Sequence, residues 1–223
     1  NAAMMHYHAT PEDHAVLEKK GFLLVDSGAT YMDGTTDITR TYPLGPLTED
    51  EKRFYTWTLQ SHIDLAKAVW LDYCECKMID TIAREPLWRH LINYRCGTGH
   101  SVSFVGNVHE GPHALNSRNT TRMRPGMVVT DEPGVYETDL VGIRIENELV
   151  CVHRADNQYG TFLGFEPLMF VPIATSPILP GVLDKDEIAW LNDYHRQVFA
   201  KLAPHLNDEE RSWLAEKCAA IGC

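Results

Sequence analysis

Four carboxylates and one imidazole stand out in this chain, each in a short segment of turn or strand residues. They are Asp26 in VDSG, Asp37 in TTDITRT, His100 in GTGHS, Glu132 in TDEPG and Glu146 in IRIEN. Oxygen donors with a single neutral imidazole suit divalent cations. Carboxylates readily bridge two ions, and two ions hold a hydroxide between them. The charges match as well, since four carboxylates offset two dications. Without metal, four such groups brought together would repel and shift one another's ionisation. The residue types therefore point to a pair of divalent ions.

Each residue also has a plainer reading. Asp26 and Asp37 flank a turn containing Gly28, Asp33 and Gly34, and either alone reads as a turn carboxylate. On two adjacent antiparallel strands the two would meet. Glu132 precedes Pro133-Gly134, another turn setting. In VGIRIENELV, alternation places Val141, Ile143 and Ile145 on one face and Arg144, Glu146 and Glu148 on the other, as in a half-solvated strand. His100 is one of 11 histidines, and a lone histidine is more often structural. It is the five together that favour ligation.

Two literal motif matches carry less. His109-Glu110-Gly111-Pro112-His113 fits H-E-x-x-H, but that zinc site needs both histidines on one helix face, and Gly-Pro inside the motif opposes a helix. His109 is better kept as a separate active-site histidine. GTGHSV lacks the third glycine and the following helix of a dinucleotide fingerprint.

The elements that must position these residues follow from periodicity and turn chemistry. GFLLVDSG reads as a strand, and DGTTDITRTY as a turn and a second strand. Thr48 with Glu51 forms a capping box for a helix to about Trp70. A second helix is expected from Met78 to Leu91, bent or divided by Pro86. SVSFVGNVH, GMVVTDEPG, VGIRIENELV and LGFEPLMFVPI read as strands. Asp184 caps a helix through Phe199, and Asp208 a last one. The class is α+β, antiparallel strands with helices over one face, in a lone domain spanning 1–223 with a helical tail from about 184.

With 223 residues, 44% hydrophobic and 23% charged, the chain has the size and composition of one globular domain. The net charge of -11 argues against nucleic acid as a partner, which needs a basic face. No apolar run is long enough for a transmembrane helix, and no signal-peptide pattern is present. The six cysteines, Cys74, Cys76, Cys96, Cys151, Cys218 and Cys223, form no CxxC pair and read as reduced thiols of a cytoplasmic protein. The start at Asn-Ala-Ala rather than Met is what a fragment or a processed form would show.

The segments VDSGATYMDGTTDITRTY, GTGHSVSFVGNVHEGPH, VVTDEPGVYE and GIRIENELV resemble the catalytic domain of aminopeptidase P. That family belongs with the wider pita-bread metallopeptidases, which include prolidase, methionine aminopeptidase and creatinase. The resemblance implies a curved antiparallel sheet covered by helices. It also implies that Asp26 binds one metal, His100 and Glu132 the other, and that Asp37 and Glu146 bridge both. Glu132 would shuttle a proton, His109 would stabilise the oxyanion or hold substrate, and His6 in AMMHY would contact substrate. Arg144 would steady Glu146. The implied substrates are peptides with proline in the second position. The implied cofactors are two divalent ions, manganese by the resemblance, with zinc or cobalt also compatible. A homodimer is compatible too.

Relatives usually carry histidine where this chain has Cys96 and glycine where it has Ser101. They also carry N-terminal domains, expected to be absent here. Two alternatives to the aminopeptidase remain open: a prolidase acting on Xaa-Pro dipeptides, and a non-catalytic peptide-binding module.

Overall fold

The computed structural model describes residues 3–222. Asn1, Ala2 and Cys223, and with them the chain start and one of the six cysteines, lie outside the described residues. The fold is α+β, and its strand pairs are antiparallel. It forms the curled half-barrel sheet of the pita-bread architecture.

The first hairpin joins β1 (Phe22–Tyr31) and β2 (Gly34–Pro43). Its register sets Gly28 opposite Asp37 and Asp26 opposite Thr39, so the two aspartates are diagonal neighbours on one face. A side chain at Gly28 would come within 2.7 Å of the Thr36 carbonyl, so this close approach requires glycine.

Helix α1 (Glu49–Ala66) begins at the expected capping box of Thr48 and Glu51, with Glu49, Asp50 and Glu51 at its positive end. It stops short of Trp70. The aromatic and branched residues Val69–Leu71 leave as strand β3, which pairs with Phe162–Gly164. Helix α2 (Cys76–Trp88) starts before Met78, and Pro86 lies in its last turn without dividing it. Leu91, expected inside that helix, adopts a left-handed conformation beyond it.

Strand β4 (Gly99–Ser101) pairs with β5 (Glu110–Leu115). SVSFVGNVH, expected as one strand, is therefore a loop over most of its length. Gly106 takes a positive φ there, and Phe104, Val105 and Val108 are exposed, so the apolar pattern does not report a buried face. Strands β6 (Val128–Asp131) and β7 (Gly134–Glu137) follow, split by Glu132-Pro133. VGIRIENELV also divides, into β8 (Val141–Arg144), paired with β7, and β9 (Asn147–Asn157). Both faces of 141–149 are buried, which corrects the half-solvated expectation. Strand β10 (Gly160–Pro167) completes the four-stranded order β3-β10-β9-β6. The MFVPI stretch after it is irregular.

Helix α3 (Lys185–Leu202) has the expected Asp184 cap, boxed with Glu187. Helix α4 (Asp208–Lys217) is capped by Asn207, not Asp208, because Asn207 accepts from the backbone of Glu210. Two apolar clusters hold these layers. One joins α1 and α3 to β7 and β8 through Leu59, Ile63, Ile143, Leu191 and Val198. The other joins α2 to the four-stranded sheet through Ile79, Ala83, Leu149 and Phe165. The metal-type residues sit on β1, β2 and β4 and at the β6–β7 and β8–β9 breaks.

Candidate metal centre

Asp37, His100 and Glu146 converge so that one donor atom of each lies within 4.8 Å of the others. Glu132 adjoins them, its Oε1 3.2 Å from His100 Nε2, and Asp37 Oδ2 is 3.5 Å from the same nitrogen. Asp26 stands at the edge of this group, on the wall of a cavity of about 600 Å³ that also takes in Asp37, His6 and His109. The four acids therefore share one face, reached from β1, β2, the β6–β7 junction and the β8–β9 break.

Local chemistry explains each placement. In TTDITRT, alternation sends Asp37 and Thr39 inward together, and Thr39 Oγ1 donates to Glu146 Oε2. Thr130, before Asp131-Glu132, accepts from the His100 N–H at 2.9 Å and donates to Glu132 Oε1 at 3.2 Å. Gly99 allows this approach, because a Cβ there would lie 1.8 Å from the Thr130 carbonyl. Glu146 N–H donates to the Thr39 carbonyl at 3.1 Å, which ties the β8–β9 break to β2.

Arg144 was expected to steady Glu146, but its guanidinium goes elsewhere. Nη2 donates to Asp26 Oδ2 at 2.6 Å, Nη1 to Tyr136 Oη at 2.5 Å and Nε to Thr39 Oγ1 at 3.0 Å. Its link to Glu146 thus passes through the Thr39 hydroxyl. Burial opposes the Arg144 charge, but Tyr136, Asp26 and Glu146 outweigh it and raise the guanidinium further.

The electrostatics of the cluster call for cations. Burial, with Asp26 and Glu132 nearby, pushes Asp37 up to about 6. Burial, with Glu132 and Asp37, pushes Glu146 far above the usual carboxylate range. Burial lowers His100, but the hydrogen bond and charge of Glu132 outweigh it and the net shift is upward. Acids that oppose one another's ionisation this strongly, with one imidazole among them, fit a set of donors for divalent cations.

His109 stands beside this group, its ring 4.0 Å from that of His100 and edge-on to it. It lies in the loop before β5, so HEGPH forms no helix. His113 is turned away, with Nε2 2.7 Å from the Val128 carbonyl. Cys96 is half-buried against the α1–α3 cluster, and its carbonyl accepts from Arg84. The five described cysteines are free thiols.

Other side chains take part besides the five, and of these Glu148 had a signal in the alternation that sets it on the Glu146 face. Glu148 is buried on the same strand face as Glu146, opposite Thr130, with Oε1 unpartnered, and burial pushes it up to about 7. Tyr136 and Thr130 carry no local signal, because their partners are distant in the chain or set by strand pairing. A threonine alternating with a ligand aspartate, as in TTDITRT, was the one available clue to Thr39.

The fold and this constellation define a metallopeptidase scaffold. The chain belongs to metallopeptidase family M24, whose model matches residues 1–153, with the family's C-terminal region matching residues 161–221. It is 40% identical over 229 residues to a probable Xaa-Pro aminopeptidase P of Coprinopsis cinerea, covering 99% of this chain and 37% of that protein. It is 42% identical over 221 residues to aminopeptidase P2 of Arabidopsis thaliana, covering 96% of this chain and 31% of that protein. The X-prolyl aminopeptidase of Caenorhabditis elegans, described as a cytosolic enzyme with a di-nuclear active site, superposes with a TM-score of 0.85 at 39% identity. That match covers 90% of this chain and 34% of the other. The prolidase of Pyrococcus furiosus superposes at 0.58 with 28% identity, over 67% of this chain and 41% of its own. The chain spans about a third of the length of the curated relatives it matches.

Proposed function

We propose that this chain carries the catalytic centre of a two-metal aminopeptidase that releases the N-terminal residue from peptides whose second residue is proline. The observation that carries this is the convergence of Asp37, His100 and Glu146, with Glu132 at 3.2 Å from His100 and Asp26 on the same cavity. The relatives named Xaa-Pro aminopeptidase support the substrate class.

Asp26 would hold one ion, His100 and Glu132 the other, and Asp37 and Glu146 both. Bound divalent ions supply Lewis-acid polarisation and a hydroxide at neutral pH. Mostly oxygen donors favour a hard ion, and manganese is the reading we adopt. Glu132, partly buried beside His100, moves a proton between the nucleophile and the leaving nitrogen. His109, on the cavity wall beside His100, donates to the developing oxyanion. His6, across the same cavity, contacts the peptide. Arg144 keeps Asp26 in place and reaches Glu146 through the Thr39 hydroxyl. We assign the chain to the cytoplasm on the free thiols and the cytosolic neighbour. Among the described residues no helix is long and apolar enough to cross a membrane.

The test is hydrolysis of Xaa-Pro-Yaa tripeptides and Xaa-Pro dipeptides by the metal-free chain, with and without added manganese. Manganese-dependent release of the first residue from tripeptides is the expected result. Cleavage of dipeptides alone would replace this reading with a prolidase. Binding of metal and peptide without any cleavage would replace it with a binding module.

A further inference from the structure

Thr98 is fully buried, two residues before His100 and hydrogen-bonded to the backbone of Glu132. Its carbonyl accepts the Glu132 N–H at 2.7 Å, and its N–H donates to Leu115 at 2.7 Å, which aligns β4 just ahead of His100. Its hydroxyl donates to Asp80 Oδ1 and meets the Tyr94 hydroxyl. Asp80 Oδ2 in turn accepts from Arg84 Nε at 2.7 Å, one turn along α2. Arg84 Nη1 and Nη2 donate to the Tyr94 and Cys96 carbonyls, each at 2.9 Å, and the guanidinium lies 4.2 Å over the Tyr94 ring. Asp80 and Arg84 are both buried, and neither reaches the cavity.

The two sides of the centre are therefore held from different places. Asp26 is held by Arg144 of β8 at 2.6 Å, which comes only to 3.8 Å from the Glu132 carboxylate, while the segment leading to His100 and the backbone of Glu132 are held by α2. The geometry points to the Asp80–Arg84 pair as a positioning device, acting through Thr98, for the His100–Glu132 side of the centre. This inference rests on the two-metal reading above. Asp80 and Arg84 touch neither substrate nor donor side chain; they fix the backbone from which two donors project. Removing that hold loosens the ion bound by His100 and Glu132 and spares the ion bound by Asp26. Loss of a hydrogen-bonding partner behind a metal ligand typically costs about 10- to 100-fold in affinity.

The experiment is titration of the metal-free chain with Mn²⁺ alone, followed by calorimetry and by metal content after dialysis. It compares the unaltered chain with Asp80→Asn, Thr98→Val and Leu214→Ala. Asp80→Asn keeps the shape but faces an amide N–H₂ toward either Arg84 Nε or the Thr98 hydroxyl. Thr98→Val deletes only the hydroxyl, and decides the matter should Asp80→Asn fold poorly. Leu214→Ala opens a cavity in the α4 packing and reports what general destabilisation does. The unaltered chain is expected to bind two ions. Asp80→Asn and Thr98→Val are expected to keep one and weaken the other about 10- to 100-fold, with Leu214→Ala keeping both. Wild-type affinity for both ions in Asp80→Asn and Thr98→Val overturns the inference and leaves the two-metal reading intact. So does equal weakening of both. An unaltered chain that binds no ion overturns the two-metal reading itself, and this inference with it.

Discussion

Replacing Arg40 with methionine should destabilise the chain by about 2–4 kcal/mol, and the sign of that change is the point of the experiment. Arg40 is 3% exposed and, among the described residues, has no carboxylate within ion-pair distance. Burying an unpaired charge costs several kcal/mol, so an apolar replacement could in principle stabilise. What opposes this is the completeness of its hydrogen bonding. Nε donates to the Val171 and Pro172 carbonyls at 3.3 and 3.2 Å, and Nη1 to the Thr39 carbonyl at 2.9 Å and to the Glu146 carbonyl. Nη2 reaches Val171 at 2.7 Å, Asn147 Oδ1 at 2.8 Å and Tyr194 Oη at 2.9 Å. After truncation, the single Tyr194 O–H can serve either the Val171 carbonyl, at 3.0 Å, or Asn147 Oδ1, at 3.2 Å. The Pro172 and Glu146 carbonyls lose the guanidinium that satisfies them, at about 1–3 kcal/mol for each buried orphan. Relief of the buried charge offsets part of that sum and leaves the net figure above. Equilibrium urea unfolding with a chelator present measures it free of metal linkage. For a chain of this size the melting temperature should fall by about 4–16 °C. An unchanged or raised midpoint would show that desolvation outweighs the carbonyl contacts, and the reasoning would be refuted.

Three further outcomes follow from the same geometry. Burial and the Arg40 charge hold His195 down at about 4, while its Nε2 accepts the Ile173 N–H at 3.1 Å. The unfolded chain therefore binds this proton first as pH falls, and stability present above about 6.5 drops by about 3 kcal/mol by pH 4. A pH series of unfolding midpoints should show this slope, and His195→Gln should flatten it. His109→Ala should retain both ions by metal analysis while kcat falls about 10²-fold, and loss of an ion would place His109 among the donors instead. Gly99→Ala should push β4 away from the Thr130 carbonyl, which its Cβ would otherwise meet at 1.8 Å. Thermal unfolding should then register a loss of about 1–3 kcal/mol, with metal affinity reduced.

The parts of this fold that could be read from sequence are those with local causes. The boxes of Thr48 with Glu51 and Asp184 with Glu187 lie within one helical turn, so their start signals were visible. The five metal-type residues were visible because each sits in a distinctive segment. Arg40, His62, Asp80 and Thr98 were not visible, because their partners are distant in the chain and their local pattern is ordinary. His62, for example, meets Asp131 at 3.1 Å with both side chains fully buried. SVSFVGNVH misled for a related reason: β-branched and aromatic residues signal a strand only when some other element covers them, and here they face solvent. Arg144 went to Asp26 and not to Glu146 because the hairpin register brings Asp26 and Thr39 opposite each other, a fact of pairing and not of composition.

The buried run from Val141 to Leu149 has a consequence for the chain before it folds. With both faces covered in the native state, VGIRIENELV would be a sticky segment on the ribosome or in any opened form, since such strands template intermolecular pairing. Arg144, Glu146 and Glu148 interrupt its apolar residues with charge, in the manner of gatekeepers beside an unavoidable hydrophobic strand. The same side chains that crowd the centre at a cost in desolvation thereby keep the nascent segment soluble. Substitutions that neutralise them would be felt in the yield of folded protein as well as in chemistry.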